Sequence, residues 1–301
     1  MKLGLIGYGN VGSLITNNIL KLNLLLDDEE LFISNRNKEK IEHLKSEYPD
    51  ANISITDDNK TIAENCDKIL ICVETPQFKN IIDEISPFIK KNIHIIYTCA
   101  GIDLNQAEKI YDGKLSVVIP TIASSVTSNN TISSLSRRKG YTLIKHNKKV
   151  ELEERLYLED FFNEFSYVRS INNNVITADT EDIVIINNEL EISTVLTSYG
   201  PAIAAMIVDK FAYHASIQSN LSKKEAEEMI IRTMLATSIL MDNQKLSSEE
   251  IIKKVTTHGR LNQDGIDLLD KKLDKSAKDL MKILLNKYEE LKTEIDENEY
   301  F

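Results

Sequence analysis

Cysteine is scarce: the chain has three, Cys66, Cys72 and Cys99, an odd count with two of them inside apolar runs. That usage points away from a disulfide framework and toward a reduced, cytoplasmic setting. Long hydrophobic runs are missing, and no uninterrupted apolar stretch approaches the roughly 20 residues of a membrane-spanning helix. The opening Met1-Lys2-Leu3-Gly4-Leu5-Ile6-Gly7 reaches glycine too early for a secretory signal. Positive charge is in deficit, with 36 lysines and arginines against 47 acids and a net of −11. An acidic surface repels a phosphate backbone, which argues against nucleic acid as a partner. The five histidines are scattered and fall in no Cys-x-x-Cys or His-Glu-x-x-His spacing, so no metal site is expected.

What is present is ordinary globular composition: 42% hydrophobic and 28% charged over 301 residues, a length that suggests two domains. In the first half, short β-branched runs at 3–6, 31–34, 53–55, 69–73, 93–98 and 117–119 read as strands. Helical spacing fills the gaps at 11–22, 38–47, 78–90 and 104–111. This alternation predicts an α/β fold, a doubly wound, mostly parallel sheet with helices on both faces. Residues 131–135 and 141–145 read as a strand pair closing the sheet, and 149–164 as a helix. The second half has one proline and three glycines after Ser198 and predicts an all-α domain, with helices at 202–218, 223–241, 248–255 and 271–295. Ser222 and Ser247 are its expected helix caps, 183–186 is expected to be extended, and the acidic tail 294–301 is expected to fray.

The strongest chemical signal is Gly7-Tyr8-Gly9-Asn10-Val11-Gly12, a G-x-G-x-x-G run that follows an apolar strand and opens an amphipathic helix. Gly7 permits the tight turn, Gly9 lets backbone approach a pyrophosphate, and Gly12 lets the helix lie close to the strand. The amides of Asn10 and Val11 then belong to a helix N-terminus that attracts phosphate. The second strand ends Ser34-Asn35-Arg36 without a carboxylate. An acid there would select the ribose hydroxyls of NAD; Ser34, Asn35 and Arg36 instead offer donors and a cation to a 2′-phosphate, which favours NADP(H) over NAD(H). The competing assignment makes Asn35 or Asn37 a helix cap and leaves Arg36 solvated.

Further cofactor contacts are expected at strand carboxyl ends, from Val73, Thr75 and Pro76 after the fourth strand and Ala100 after the fifth. Cys99 reads as a small buried thiol rather than a nucleophile. His258, in the stretch Thr256-Thr257-His258-Gly259-Arg260, is the one histidine placed like a site residue.

Together these residues resemble the pyrroline-5-carboxylate reductases. The resemblance rests on Gly7–Gly12, the Ser34-Asn35-Arg36 strand end, Ala100-Gly101-Ile102, Thr197-Ser198-Tyr199-Gly200-Pro201-Ala202 before a long helix, and the segment 255–266. It covers nearly the whole chain and is nearer the divergent, late-competence-associated branch. It implies a Rossmann domain at 1–170, an insertion or linker at 171–192, and a helical dimerisation and substrate domain at 193–301. It also implies a homodimer or higher homo-oligomer that reduces a small cyclic imino acid with NADPH.

The family's substrate loop maps onto 256–262, where Thr256, Thr257, Gly259, Arg260 and Asn262 become the substrate-binding candidates. Thr257 and Asn262 stand in the catalytic positions. Here the family's proline is His258, its second glycine Arg260 and its threonine Asn262. Those differences leave a second possibility, a non-catalytic or weakly active NADP-binding protein that uses its helices for partner contact. A β-hydroxyacid dehydrogenase relative ranks last, because Lys210 is followed one turn on by His214 rather than asparagine.

Overall fold

The computed structural model describes residues 1–26, 28–125, 140–171, 189–256 and 260–297, the side chains of 260–262 and 297 apart. It separates into two compact units, Met1–Ser198 with Asn286–Phe301, and Tyr199–Leu285.

The first unit alternates β1 (Lys2–Ile6), α1 (Asn10–Lys21), β2 (Glu30–Ser34), α2 (Glu39–Glu47), β3 (Ile53–Thr56) and α3 (Asn59–Asn65). It continues through β4 (Lys68–Ile71), α4 (Phe78–Ile85), β5 (His94–Tyr97), α5 (Leu104–Ile110) and β6 (Lys114–Pro120). After these come β7 (Tyr141–His146), α6 (Leu152–Asn163), β8 (Tyr167–Ser170) and α7 (Glu189–Ser198). The eight strands form one sheet in the order β3-β2-β1-β4-β5-β6-β7-β8. β3 through β6 run parallel, β7 is antiparallel to β6, and β8 is parallel to β7.

Both faces of the sheet are covered, which is why its strands read as continuous apolar runs. Successive residues alternate between two cores: Ile69, Ile71, Ile95 and Tyr97 enter one, while Leu70 and Ile96 enter the other with Leu5, Ile15 and Ile33. Chain order reverses between β1 and β4, the place where such sheets open a crevice at their carboxyl ends.

The second unit holds α8 (Gly200–Ile217), α9 (Lys223–Gln244), α10 (Ser248–Thr256) and α11 (Arg260–Glu297) up to Leu285. Ser222 and Glu225 form a reciprocal capping box, and Ser247 with Glu250 repeats it. Among the described residues of this unit only Ala212 and Ala226 are buried, while Met206, Phe211, Tyr213 and Leu268 are at least half exposed. Alone, these helices close no hydrophobic core. No single described helix is long and apolar enough to cross a membrane.

Several expectations change. The helix expected over 78–90 stops at Ile85, because Pro87 supplies no N–H and restrains the residue before it. α3, of seven residues, and β8, of four, were not expected from the sequence. The last helix starts at Arg260 rather than 271, running through Gly265 to Glu297, with Ile295 buried and Asp296 paired with Lys109 at 2.9 Å; residues 298–301 of the expected frayed tail lie outside the described residues. The expected strand at 131–135 and the extended piece at 183–186 lie outside the described residues.

Candidate functional site

At the carboxyl end of β1 the chain turns sharply through Gly7, whose φ of +98° L side chains rarely adopt. A Cβ at Gly7 would also lie 2.5 Å from the carbonyl oxygen of Cys72. Gly12, in the first turn of α1 with Asn10 and Val11, has the tightest neighbour: a Cβ would sit 2.0 Å from the Gly7 carbonyl oxygen. Gly9 differs in kind. A Cβ there would meet nothing within 4 Å, so no protein packing requires a glycine at that position. Its open flank is the space a backbone-hugging ligand would use. No side chain caps α1, whose first amides are therefore left to an anion.

Gly7 and Gly9 form one wall of a cleft of about 510 Å³ that also takes in Ser34, Asn35, Arg36, Lys40, Asn59, Val73, Gln77 and Asn80; Asn10, Val11, Gly12 and Ala100, also expected to hold the cofactor, do not line it. Gly7, Gly9, Ser34, Asn35, Arg36 and Val73 were expected there from the sequence. Lys40, Asn59, Gln77 and Asn80 were missed. Lys40 follows Arg36 by four residues on the way into α2, and Asn59 follows β3 much as Asn35 follows β2, so both had a positional signal.

Two of the expected phosphate donors are already occupied. Ser34 is 1% exposed, and its hydroxyl donates to Asn59 Oδ1 at 2.7 Å. Asn35 Nδ2 donates to the Asn37 carbonyl at 2.7 Å, while its Oδ1 accepts the Tyr8 N–H at 3.2 Å. Asn37 Oδ1 accepts the Glu39 N–H at 3.1 Å within the turn before α2, whose N-cap is Lys38 with no side-chain cap, so both asparagines bond locally and neither is the helix cap. The charge at the β2 end is left to Arg36 and Lys40, both exposed and neither ion-paired among the described residues. No carboxylate follows β2, and a cationic mouth of this kind suits a 2′-phosphate.

Thr75 and Pro76 sit in a short turn between β4 and α4. They do not line the cleft wall. The Thr75 hydroxyl instead donates to the Ala100 carbonyl at 2.7 Å, tying together the loops that leave β4 and β5. The Cys99 thiol donates to the Val73 carbonyl at 3.3 Å and strengthens that tie. All three cysteines are buried and unbridged. Burial pushes the Cys66 and Cys72 thiols up to about 12 and Cys99 higher still, so none is an active nucleophile. No metal-holding cluster occurs among the described residues.

The substrate candidates do not all sit in a loop. Thr256 is the last residue of α10, and its hydroxyl donates back to the carbonyls of Ile252 at 3.0 Å and Lys253 at 3.2 Å. Arg260 and Asn262 belong to the first turn of α11. Thr257, His258 and Gly259 lie outside the described residues.

Residues 2–100 match the family described as NADP oxidoreductase, coenzyme F420-dependent, and residues 187–291 match pyrroline-5-carboxylate reductase dimerisation. The chain is 38% identical to a pyrroline-5-carboxylate reductase of Methanobrevibacter smithii over 90% of its own length and 98% of that protein's. It is 28% identical to pyrroline-5-carboxylate reductase 3 of Bacillus subtilis, over 98% of each chain. A crystal structure of Plasmodium falciparum pyrroline carboxylate reductase with NADP bound shares the fold at a TM-score of 0.75 and 17% identity, covering 97% of this chain and 98% of that one.

Proposed function

The chain belongs to the pyrroline-5-carboxylate reductase family, and from that premise we propose that it is an NADPH-dependent reductase of a cyclic imine, converting 1-pyrroline-5-carboxylate to proline or a closely related imino acid. One observation carries the cofactor half of this reading. The cleft joins an open-flanked Gly9 and an uncapped α1 to a β2 end that bears Arg36 and Lys40 and no acid.

When bound, the dinucleotide supplies the hydride. The protein's part is to hold and orient. Gly7, Gly9 and Gly12 let backbone and the first amides of α1, at Asn10, Val11 and Gly12, meet the pyrophosphate. Arg36 and Lys40 pair with the 2′-phosphate, while Ser34 and Asn35 keep the end of β2 in shape. Val73, Thr75, Pro76 and Ala100 form the loops beside the nicotinamide half. The segment 256–262 is assigned to the imino acid: Thr256, Thr257, Arg260 and the Gly259 amide toward its carboxylate, with Thr257 and Asn262 in the catalytic positions. A carboxamide such as that of Asn262 can hold the ring nitrogen, its oxygen accepting the N–H of a protonated imine, but is no practical acid. The imine must therefore arrive protonated, and orientation supplies most of the rate. The helical residues 193–301 serve as the dimerisation and substrate domain. The bare apolar helix faces of the second unit support a homodimer or higher homo-oligomer.

The test is NADPH oxidation followed with 1-pyrroline-5-carboxylate beside related cyclic imines and keto acids. Turnover with a cyclic imine sustains the reading. The second reading, an NADP-binding protein without turnover, draws on Arg260 and Asn262 at positions where the family carries glycine and threonine. Tight NADPH binding with no oxidation by any imine would establish it.

A further inference from the structure

The loop that leaves β5, residues 98–102, is held from two sides, at the exit of β4 and at the end of α11. On one side, Thr75 and Cys99 join it to the exit of β4, where Val73 lines the cleft. On the other side lies the end of α11, in the same compact unit. Gly101 has a φ of +85°, and a Cβ built on it would lie 2.1 Å from Leu291 Cδ2 and 2.8 Å from Leu291 Cγ. The isobutyl group of Leu291 fills the volume that a side chain at position 101 would need.

Leu291 is itself anchored at three neighbouring points. Gln106 is 4% exposed and has both ends of its amide engaged: Oε1 accepts the Asp103 N–H at 3.1 Å, and Nε2 donates to the Lys292 carbonyl at 3.2 Å. The Lys292 ammonium pairs with Glu191 at 2.8 Å, with both side chains largely covered. Ile295, one turn beyond Leu291, is 3% exposed in the same core as Ile102 and Leu104.

We propose that Leu291 and Gln106 are positioning residues for the reduction, clamping the loop 98–102 through Gly101 so that the nicotinamide end of the cleft keeps one shape. The inference rests on the reductase reading above. In a sheet of this order the β4 and β5 exits flank the half of the dinucleotide opposite the β2 end. Most binding contacts lie elsewhere, at the glycine turn and at Arg36. Hydride transfer is the step that responds to a displacement of well under 1 Å, whereas affinity is not. A clamp here should therefore appear in kcat and leave cofactor binding alone.

The experiment compares Leu291→Ala and Gln106→Glu with the wild-type protein. Gln106→Glu keeps the acceptor for the Asp103 N–H but loses the donor to the Lys292 carbonyl. Two readouts are used: amide hydrogen exchange across residues 98–102 in the cofactor-free protein, and steady-state kinetics with NADPH and the imine. The expected result is exchange at 100–102 faster by about tenfold, unchanged exchange in β1 and β2, and kcat down by about tenfold with the KM for NADPH within twofold. Leu291→Met, which refills the space, should restore both. Unchanged exchange in both variants overturns the clamp, as does a rise in the KM for NADPH with kcat intact. Because exchange is read without turnover, an inactive wild-type protein would refute the reductase reading while exchange still decides the clamp.

Discussion

The side-chain oxygen of Asn35 accepts the backbone N–H of Tyr8 at 3.2 Å, bridging 27 residues between the end of β2 and the middle of the glycine-rich turn. The strand end proposed to meet the 2′-phosphate is thus tied to the turn proposed to meet the pyrophosphate. Asn35, which lines the cleft, also holds these two segments in register.

That arrangement separates two variants. Arg36→Ala should weaken NADPH binding by roughly tenfold or more, the cost of one charge-assisted hydrogen bond, and leave NADH unchanged. Lys40→Ala should act in the same direction. Asn35→Ala should weaken NADPH and NADH to the same extent, because it disturbs the turn common to both. Fluorescence titration of the two reduced cofactors reads all three. An Arg36→Ala protein with unaltered NADPH affinity would remove Arg36 from the phosphate site.

The glycine run was legible because its requirement is local: a positive φ at Gly7 and a close helix at Gly12 are demands of the backbone, written in consecutive residues. The positions of Ser34 and Asn35 at the cleft were legible; their protein partners were not. Their partners, Asn59 and Tyr8, lie 25 and 27 residues away and are set by strand order. Thr256 shows the same limit at short range, since a threonine ending a helix can turn its hydroxyl back onto its own carbonyls. The end of α11 reads as a charged tail. Only its packing against α5 and α7 shows why Leu291 and Ile295 are spaced one turn apart.

A buried chain crosses the sheet from β5 to β7: His94 Nε2 lies 2.8 Å from Ser116 Oγ, which lies 2.7 Å from His146 Nδ1. Burial lowers His94 to about 3, and burial likewise lowers His146. Both imidazoles stay neutral in the folded state while the unfolded chain takes up protons below about pH 6.5. Stability is therefore whole above that pH and falls as pH drops from about 6.5, toward about 4 for His146 and about 3 for His94, by up to about 1.4 kcal/mol per pH unit for each histidine within its own window. Urea unfolding at pH 7.5, 6 and 5 should show the decline, and His94→Gln should flatten it. An identical slope in the variant would place the acid sensitivity elsewhere.

The second unit buries two alanines and leaves Met206, Phe211, Tyr213 and Leu268 at least half exposed among its described residues. Light scattering at micromolar concentration should return a dimer or a multiple of it. Phe211→Asp, which places a charge on that apolar surface, should shift the mass downward or expose dye-binding surface. A monodisperse wild-type monomer would contradict the homo-oligomer.

On the proposed reading, in which Arg260 meets the imino acid's carboxylate, Arg260→Ala should raise the KM for the imino acid roughly tenfold with NADPH binding intact. The double variant Arg260→Gly with Asn262→Thr separates this from a disabled site. Activity appearing only in the double variant would mean that the natural residues block turnover, and the protein would then act as an NADP-binding partner.

The two inner glycines of the turn give the sharpest contrast. At Gly12 an added methyl meets the Gly7 carbonyl oxygen at 2.0 Å, a backbone atom that cannot swing aside. Gly12→Ala should therefore cost about 1–3 kcal/mol of stability in the cofactor-free protein, and NADPH binding with it. At Gly9 the same methyl meets no protein atom within 4 Å, and the backbone there, at φ −89° and ψ −158°, is open to alanine. Gly9→Ala should leave stability within about 0.5 kcal/mol of wild type. It should still weaken NADPH about tenfold or more, because the methyl stands where a pyrophosphate must approach. Denaturant unfolding without cofactor, paired with NADPH titration, distinguishes the two. A Gly9→Ala protein that binds NADPH normally would mean that the open flank of the turn is not where the dinucleotide lies.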